Sequence, residues 1–198
     1  MRLGILGGTF DPIHHAHLFI GEEARVRFGL DRVLFVPNRT PPHKCEPDLT
    51  PEAHRFAMVE LAVASNPRFS ASRVELDRPG PSYTVDTLRI LKEEYPAAEF
   101  YFISGLDAVA EMGSWKEPLA IAKLSTIVAI GRPGFDAENA LAALPPDLRL
   151  RIEVIASPLM AISSTLLRER VQAGLPIRYL TPDPVIEYIQ LHGLYRPK

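Results

Sequence analysis

The sequence predicts an α/β fold: a Rossmann-like, doubly wound parallel sheet with a small C-terminal helical subdomain. Three observations predict it. Short apolar runs alternate with helical patterns from residue 2 to about residue 155, the order that builds a parallel sheet covered on both faces. The first run (Leu3, Ile5, Leu6) enters a glycine pair, Gly7-Gly8, and then a helix start. Residues 158–198 carry helical patterns only. The whole chain, 1–198, therefore reads as one domain with 158–198 as a helical appendage.

The elements follow in order. Arg2 to Leu6 is the first strand. His15 to Phe28 is a helix that can bury Leu18, Phe19, Ala24 and Phe28, with Gly29 as its stop. Arg32 to Val36 is strand two, and Asn38 to Leu49 is a polar loop long enough to suggest a functional role. Thr50-Pro51-Glu52 opens a helix: a cap, a proline at the first helical position, then an acid. That helix ends near Ser65, before Asn66-Pro67. Phe69 to Leu76 is strand three. Ser82 caps a helix from Tyr83 to Tyr95, stopped by Pro96. Glu99–Ser104, Thr126–Ile130 and Ile152–Ile155 are strands four to six. A helix from Ser163 to Ala173 stops at Gly174, and a last one covers Pro184 to His192. In open sheets of this kind ligands lie beyond the carboxyl ends of the strands, where the strand order reverses. The segments after strand one (Gly7 to His17) and strand four (Gly105 to Trp115) are expected to flank that crevice.

Composition narrows the function. The formal net charge is -2, so no global basic field calls for nucleic acid. The single cysteine, Cys45, rules out an intramolecular disulfide and suggests a reducing cytoplasm. No apolar run approaches the roughly 20 residues of a membrane helix. There is no Gly-x-Gly-x-x-Gly after a strand, no P-loop lysine motif, no His-Glu-x-x-His and no Cys-x-x-Cys. Redox-dinucleotide, P-loop and zinc readings lack support.

What remains points to polyphosphate. Gly7 and Gly8 let the backbone approach a bulky ligand. A helix start supplies free N–H groups and partial positive charge. His14 and His17 lie three apart, so the helix aims both rings to one side. Ser163-Ser164-Thr165 offers three hydroxyls and their N–H groups at a second helix start, with Arg168 one turn inward from Ser164. Pro41-Pro42-His43-Lys44 carries a cation on rigid prolines in the long loop.

Together these stretches resemble the bacterial nicotinate mononucleotide adenylyltransferases, within the nucleotidyltransferases that share a His-x-Gly-His signature. The matching segments are Gly7-Gly8-Thr9-Phe10-Asp11-Pro12 with His14 and His17, Pro41 to Lys44, Pro81-Ser82-Tyr83-Thr84-Val85-Asp86-Thr87-Leu88, Gly105-x-Asp107 with Trp115, Ile162-Ser163-Ser164-Thr165 with Arg168, and the tail Leu180 to Tyr195. Ala16 stands where the signature has glycine, and Leu106 where a small residue is usual. The resemblance implies an enzyme that joins ATP and nicotinate mononucleotide into deamido-NAD and releases pyrophosphate. It implies Mg²⁺ carried with ATP, a cytoplasmic location, small-molecule partners rather than nucleic acid or membrane, and room for a homo-oligomer. Rival readings are another small adenylyl- or cytidylyltransferase, such as one acting on phosphopantetheine, or a non-catalytic ATP-binding module.

On this reading His14, His17 and Arg168 supply charge and hydrogen bonds around the triphosphate, and Lys44 closes over it. The resemblance places ATP against Gly7, Gly8, Thr9, Phe10, Gly105, Asp107, Ser163, Ser164 and Thr165, with Asp107 on a ribose hydroxyl. Nicotinate mononucleotide is expected against Thr9, Lys44, Ser82, Tyr83, Thr84 and Trp115. The N–H groups after Ser82 would take the nicotinate carboxylate, and Trp115 would stack on the pyridinium ring.

Overall fold

The computed structural model describes residues 1–39, 49–131, 136–158 and 160–197. Its six strands are β1 (Arg2–Gly8), β2 (Arg32–Pro37), β3 (Phe69–Ala71), β4 (Glu99–Gly105), β5 (Thr126–Gly131) and β6 (Ile152–Ala156). They form one sheet in the order β3-β2-β1-β4-β5-β6. Every pairing is parallel. The order reverses between β1 and β4, so the crevice opens where the sequence places it.

Parallel strands are buried on both faces, and alternate residues divide between two cores. Val33 and Phe35 of β2 face one core, Leu34 and Val36 the other. The first core is covered by α1 (His15–Phe28) and α2 (Glu52–Val63). The second is covered by α3 (Thr84–Glu94), α4 (Leu106–Ala110), α5 (Pro118–Leu124), α6 (Ala137–Leu141) and α7 (Pro146–Arg149). The tail helices α8 (Ser164–Gln172) and α9 (Asp183–Leu191) send Leu167, Val185 and Ile189 into the first core.

Several elements differ from the sequence expectation. Strand three stops at Ala71, not Leu76, because Arg73 to Asp77 closes into a turn through an Asp77 N–H bond to the Arg73 carbonyl. Helix α2 is preceded by Pro51 rather than capped by Thr50. Thr50 is instead buried, and its N–H donates to Asp11 Oδ2 at 3.2 Å. Helix α3 takes Tyr83, not Ser82, as its N-cap residue. The Ser82 hydroxyl accepts from the Arg39 N–H at 3.0 Å, so it joins β2 to α3 rather than capping. The short helices α5, α6 and α7 carry too few turns to show a helical period.

The glycine pair is also placed differently. Gly7 and Gly8 are the last residues of β1, paired with Val36 and Pro37. The left-handed residue of the turn is Phe10, at φ 50°. Gly8 is required by a close approach: a Cβ there would lie 2.9 Å from the Phe10 ring.

Candidate functional site

Helix α1 begins at His14, its N-cap residue, in extended conformation. The His14 N–H donates to His17 Nδ1 at 3.2 Å. That bond makes Nδ1 an acceptor and leaves the His17 proton on Nε2, as a donor. The two rings stack, with centroids 3.6 Å apart and planes 21° off parallel. Phe10 meets His17 edge-on at 5.0 Å. Loss of water on burial, then the neighbouring His15, lowers His14 to about 4. Burial and then His14 hold His17 well below the usual histidine range. Burial thus favours the neutral form of both rings. In that form they still offer hydrogen bonds.

The second helix start lies beside the first. The Ser164 hydroxyl donates to the Pro12 carbonyl at 2.8 Å. Arg168 Nη1 donates to the Asp11 carbonyl at 2.8 Å, and Nη2 to Thr165 Oγ1 at 3.3 Å. The Ser163 hydroxyl caps α8 by accepting from the Leu166 N–H at 3.1 Å. So the three hydroxyls are mostly engaged within the protein, and what the helix start presents is the backbone N–H groups of Ser164 and Thr165. Arg168 has five N–H donors, of which the described contacts use two.

A cleft of about 310 Å³ runs along the carboxyl ends of β1 and β4. It brings together Gly7, Gly8 and Thr9, then Ser82, Tyr83 and Thr84, with Trp115 across from them. Trp115 is half-buried and meets Phe102 edge-on at 6.0 Å. The N–H groups of Thr84 and Val85 open the first turn of α3, as the anion argument requires, although Ser82 is not the cap. Phe10, His14, His17, Gly105, Asp107, Ser163, Ser164, Thr165 and Arg168 do not line this cleft. Of these, Ser164 and Arg168 are held beside Pro12 and Asp11, next to His14. Phe10 is only 1% exposed, so its ring belongs to the core and only its backbone can reach a ligand. Gly105 and Asp107 are exposed, at and just after the end of β4. A Cβ at Gly105 would meet nothing within 4 Å. Leu106 is buried against Gly131, so its size does not obstruct the crevice. Lys44 lies outside the described residues.

Four residues of the site escaped sequence reasoning. Glu75 lines the cleft yet is buried, and it accepts the Thr87 hydroxyl at 2.6 Å. Burial raises its pKa, opposed by hydrogen bonds from Thr87 and Ser82. Lys116 lines the cleft, lies 4.8 Å over the Tyr83 ring, and pairs with Asp86 at 2.9 Å. Asn38 donates to Thr9 Oγ1 at 3.4 Å, and its own carbonyl oxygen has no partner among the described residues. Arg55 is fully buried and donates to the carbonyls of Thr9 at 2.7 Å, Thr50 at 2.9 Å and Arg39 at 3.4 Å. Only the position of Lys116 next to Trp115 could have drawn notice; a lone acid, amide or arginine inside an ordinary pattern carries no signal.

Comparison with known proteins adds to this geometry. Residues 5–170 match the cytidylyltransferase-like family. A probable nicotinate-nucleotide adenylyltransferase of Corynebacterium kroppenstedtii is 51% identical over 99% of this chain and 92% of its own. One from Leifsonia xyli is 48% identical over 98% of this chain and 94% of its own. Among solved structures, Plasmodium falciparum nicotinic acid mononucleotide adenylyltransferase complexed with NaAD superposes with a TM-score of 0.77. It is 24% identical, over 98% of this chain and 97% of that one. That last likeness speaks for the fold.

Proposed function

The chain belongs to the cytidylyltransferase-like family and, within it, to the nicotinate-nucleotide adenylyltransferases; from that premise we propose how its residues divide the work. The enzyme transfers the adenylyl group of ATP to nicotinate mononucleotide, giving deamido-NAD and pyrophosphate. An oxygen of the mononucleotide phosphate attacks the α-phosphorus of ATP. The bond to the β-phosphate breaks, and pyrophosphate leaves with that electron pair. A phosphate monoester has its second pKa near about 6, so the nucleophile is already a dianion at neutral pH and needs no general base. What the protein must supply is position and charge compensation.

The observation that carries this assignment is the junction of the two helix starts, with Ser164 and Arg168 bound to the carbonyls of Pro12 and Asp11. It supports a triphosphate held between the α1 and α8 N–H groups, with His17 Nε2 and His14 as hydrogen-bond donors. Arg168 brings the fixed positive charge. Adenosine lies over Gly105, with Asp107 on the ribose. Nicotinate mononucleotide occupies the cleft, its carboxylate at the start of α3 and its ring on Trp115, with Lys116 as a nearby cation. Among the described residues no group of three His, Cys, Asp or Glu could hold a metal. Mg²⁺ accompanying ATP would rest on phosphate oxygens and water and would offset the charge of the leaving pyrophosphate. No helix of the described residues is long and apolar enough to cross a membrane, which suits an enzyme of the cytoplasm.

A pyrophosphate-release assay with ATP and a panel of acceptors tests the reading. Release with nicotinate mononucleotide, at higher kcat/KM than with nicotinamide mononucleotide, is the expected result. Equal values, or preference for the amide, overturn the carboxylate site. Release only with phosphopantetheine, or with no acceptor, overturns the function.

A further inference from the structure

Asp11 is where four distant parts of the chain meet. Its carbonyl accepts Arg168 from α8. Its carboxylate accepts the Tyr195 hydroxyl on Oδ1 at 2.6 Å and the Thr50 N–H on Oδ2 at 3.2 Å. The neighbouring Ile13 carbonyl accepts the Thr181 hydroxyl at 2.7 Å, and the His15 N–H donates to the Leu180 carbonyl at 3.0 Å. The segment carrying His14 is thus stitched to the C-terminal tail along its length. Asp11 is only 2% exposed, so its carboxylate depends on those two donors in place of water. Tyr195 itself sits at φ 61°, two residues after Gly193 at φ 60°. A non-glycine residue holds that conformation only when its surroundings demand it. Here its ring packs on the first core and its hydroxyl reaches Asp11.

With both oxygens occupied, the Asp11 carboxylate does not compete for the guanidinium already bound to its own carbonyl. Remove the phenol, and a buried carboxylate is left one donor short beside Arg168. The guanidinium then turns from the phosphate side toward that carboxylate. We infer that Tyr195 is a positioning residue for adenylyl transfer: a latch from the C-terminal tail that occupies the Asp11 carboxylate and so keeps Arg168 aimed at the triphosphate. The inference rests on the role given to Arg168 above. Burial, and then Asp11, raise the Tyr195 phenol, so it remains a donor throughout the working pH range.

The test is a double-mutant cycle of Tyr195→Phe with Arg168→Met, followed by pyrophosphate release at saturating substrates. In the otherwise native enzyme, Tyr195→Phe is expected to lower kcat at least about tenfold while KM for nicotinate mononucleotide stays within about twofold. In the Arg168→Met background the same change is expected to cost less than about twofold, because the group it positions is gone. An equal loss in both backgrounds, or a kcat within about threefold of native for Tyr195→Phe alone, overturns the latch. If thermal melting shows that Tyr195→Phe does not fold, Tyr195→Phe combined with Asp11→Asn is measured in its place: with no stranded anion to draw Arg168 away, kcat is expected within about threefold of native, and a loss of about tenfold or more overturns the latch. A native enzyme inactive with nicotinate mononucleotide defeats the functional reading instead, so the two failures are distinguishable.

Discussion

Gly105→Ala separates space kept for a ligand from space needed by the fold. Gly105 is the N-cap residue of α4, at φ −66° and ψ 146°, a conformation alanine adopts freely. A Cβ there would meet no atom within 4 Å. Alanine is a poorer N-cap than glycine, which costs about 0.5–1 kcal/mol. Reduced freedom of the unfolded chain returns about 0.4–1 kcal/mol. The net change in stability is within about 1 kcal/mol, or about 4 °C in Tm for a chain this size. If adenosine packs on this backbone, the methyl group overpacks the complex by about 1–3 kcal/mol, raising KM for ATP by roughly 5- to 150-fold. Gly8→Ala is the contrasting control. Its methyl would lie 2.9 Å from the ring of Phe10, which is 1% exposed. It should therefore lower stability by about 1–3 kcal/mol before any ligand is added. Thermal melting and pyrophosphate release against ATP at saturating mononucleotide read both variants. A Gly105→Ala enzyme with unchanged Tm and ATP KM within about twofold refutes the placement of adenosine.

Other outcomes follow from the same geometry. His17→Ala and Arg168→Ala should each reduce kcat by roughly 10²–10³, the usual effect of losing a transition-state donor. A rise in KM alone would show uniform binding instead. His14 is lowered in the folded state from 6.5 to about 4. The unfolded chain therefore binds more protons between those values, and stability is fully present above 6.5 and falls as the pH drops toward 4. The loss is worth about 3 kcal/mol, and His14→Asn should flatten that part of the Tm–pH curve relative to native. Arg55→Ala leaves three carbonyls without their donor and should cost about 3 kcal/mol or more, or about 6–12 °C in Tm. Trp115→Ala should raise KM for nicotinate mononucleotide far more than KM for ATP; equal changes would remove Trp115 from the mononucleotide site.

The parts legible from sequence were those governed by local rules. Alternation of apolar runs with helices predicted the parallel sheet, and Ser163 capped its helix as its chemistry required. His14 and His17 came together as the sequence spacing suggested, but through the helix start: His14 is the extended N-cap residue and its N–H donates to His17 Nδ1. The parts that were not legible depend on contacts made far along the chain. Ser82 and Thr50 are both good caps by composition, yet each is taken by a distant partner, Arg39 and Asp11. The alternating run after Phe69 had the strand period, but β3 lies at the sheet edge with a single neighbour, and the Arg73–Asp77 turn outcompeted pairing. Glu75 and Arg55 look like surface residues in sequence. They are buried only because hydroxyl and carbonyl groups from other elements satisfy them.

The most direct measurement is a crystal structure of this chain with a non-hydrolysable ATP analogue. The account requires the β- and γ-phosphates within hydrogen-bond distance of both His17 Nε2 and the Arg168 guanidinium, at the junction of α1 and α8. Phosphates seated elsewhere, or touching one of those helix starts and not the other, would contradict it.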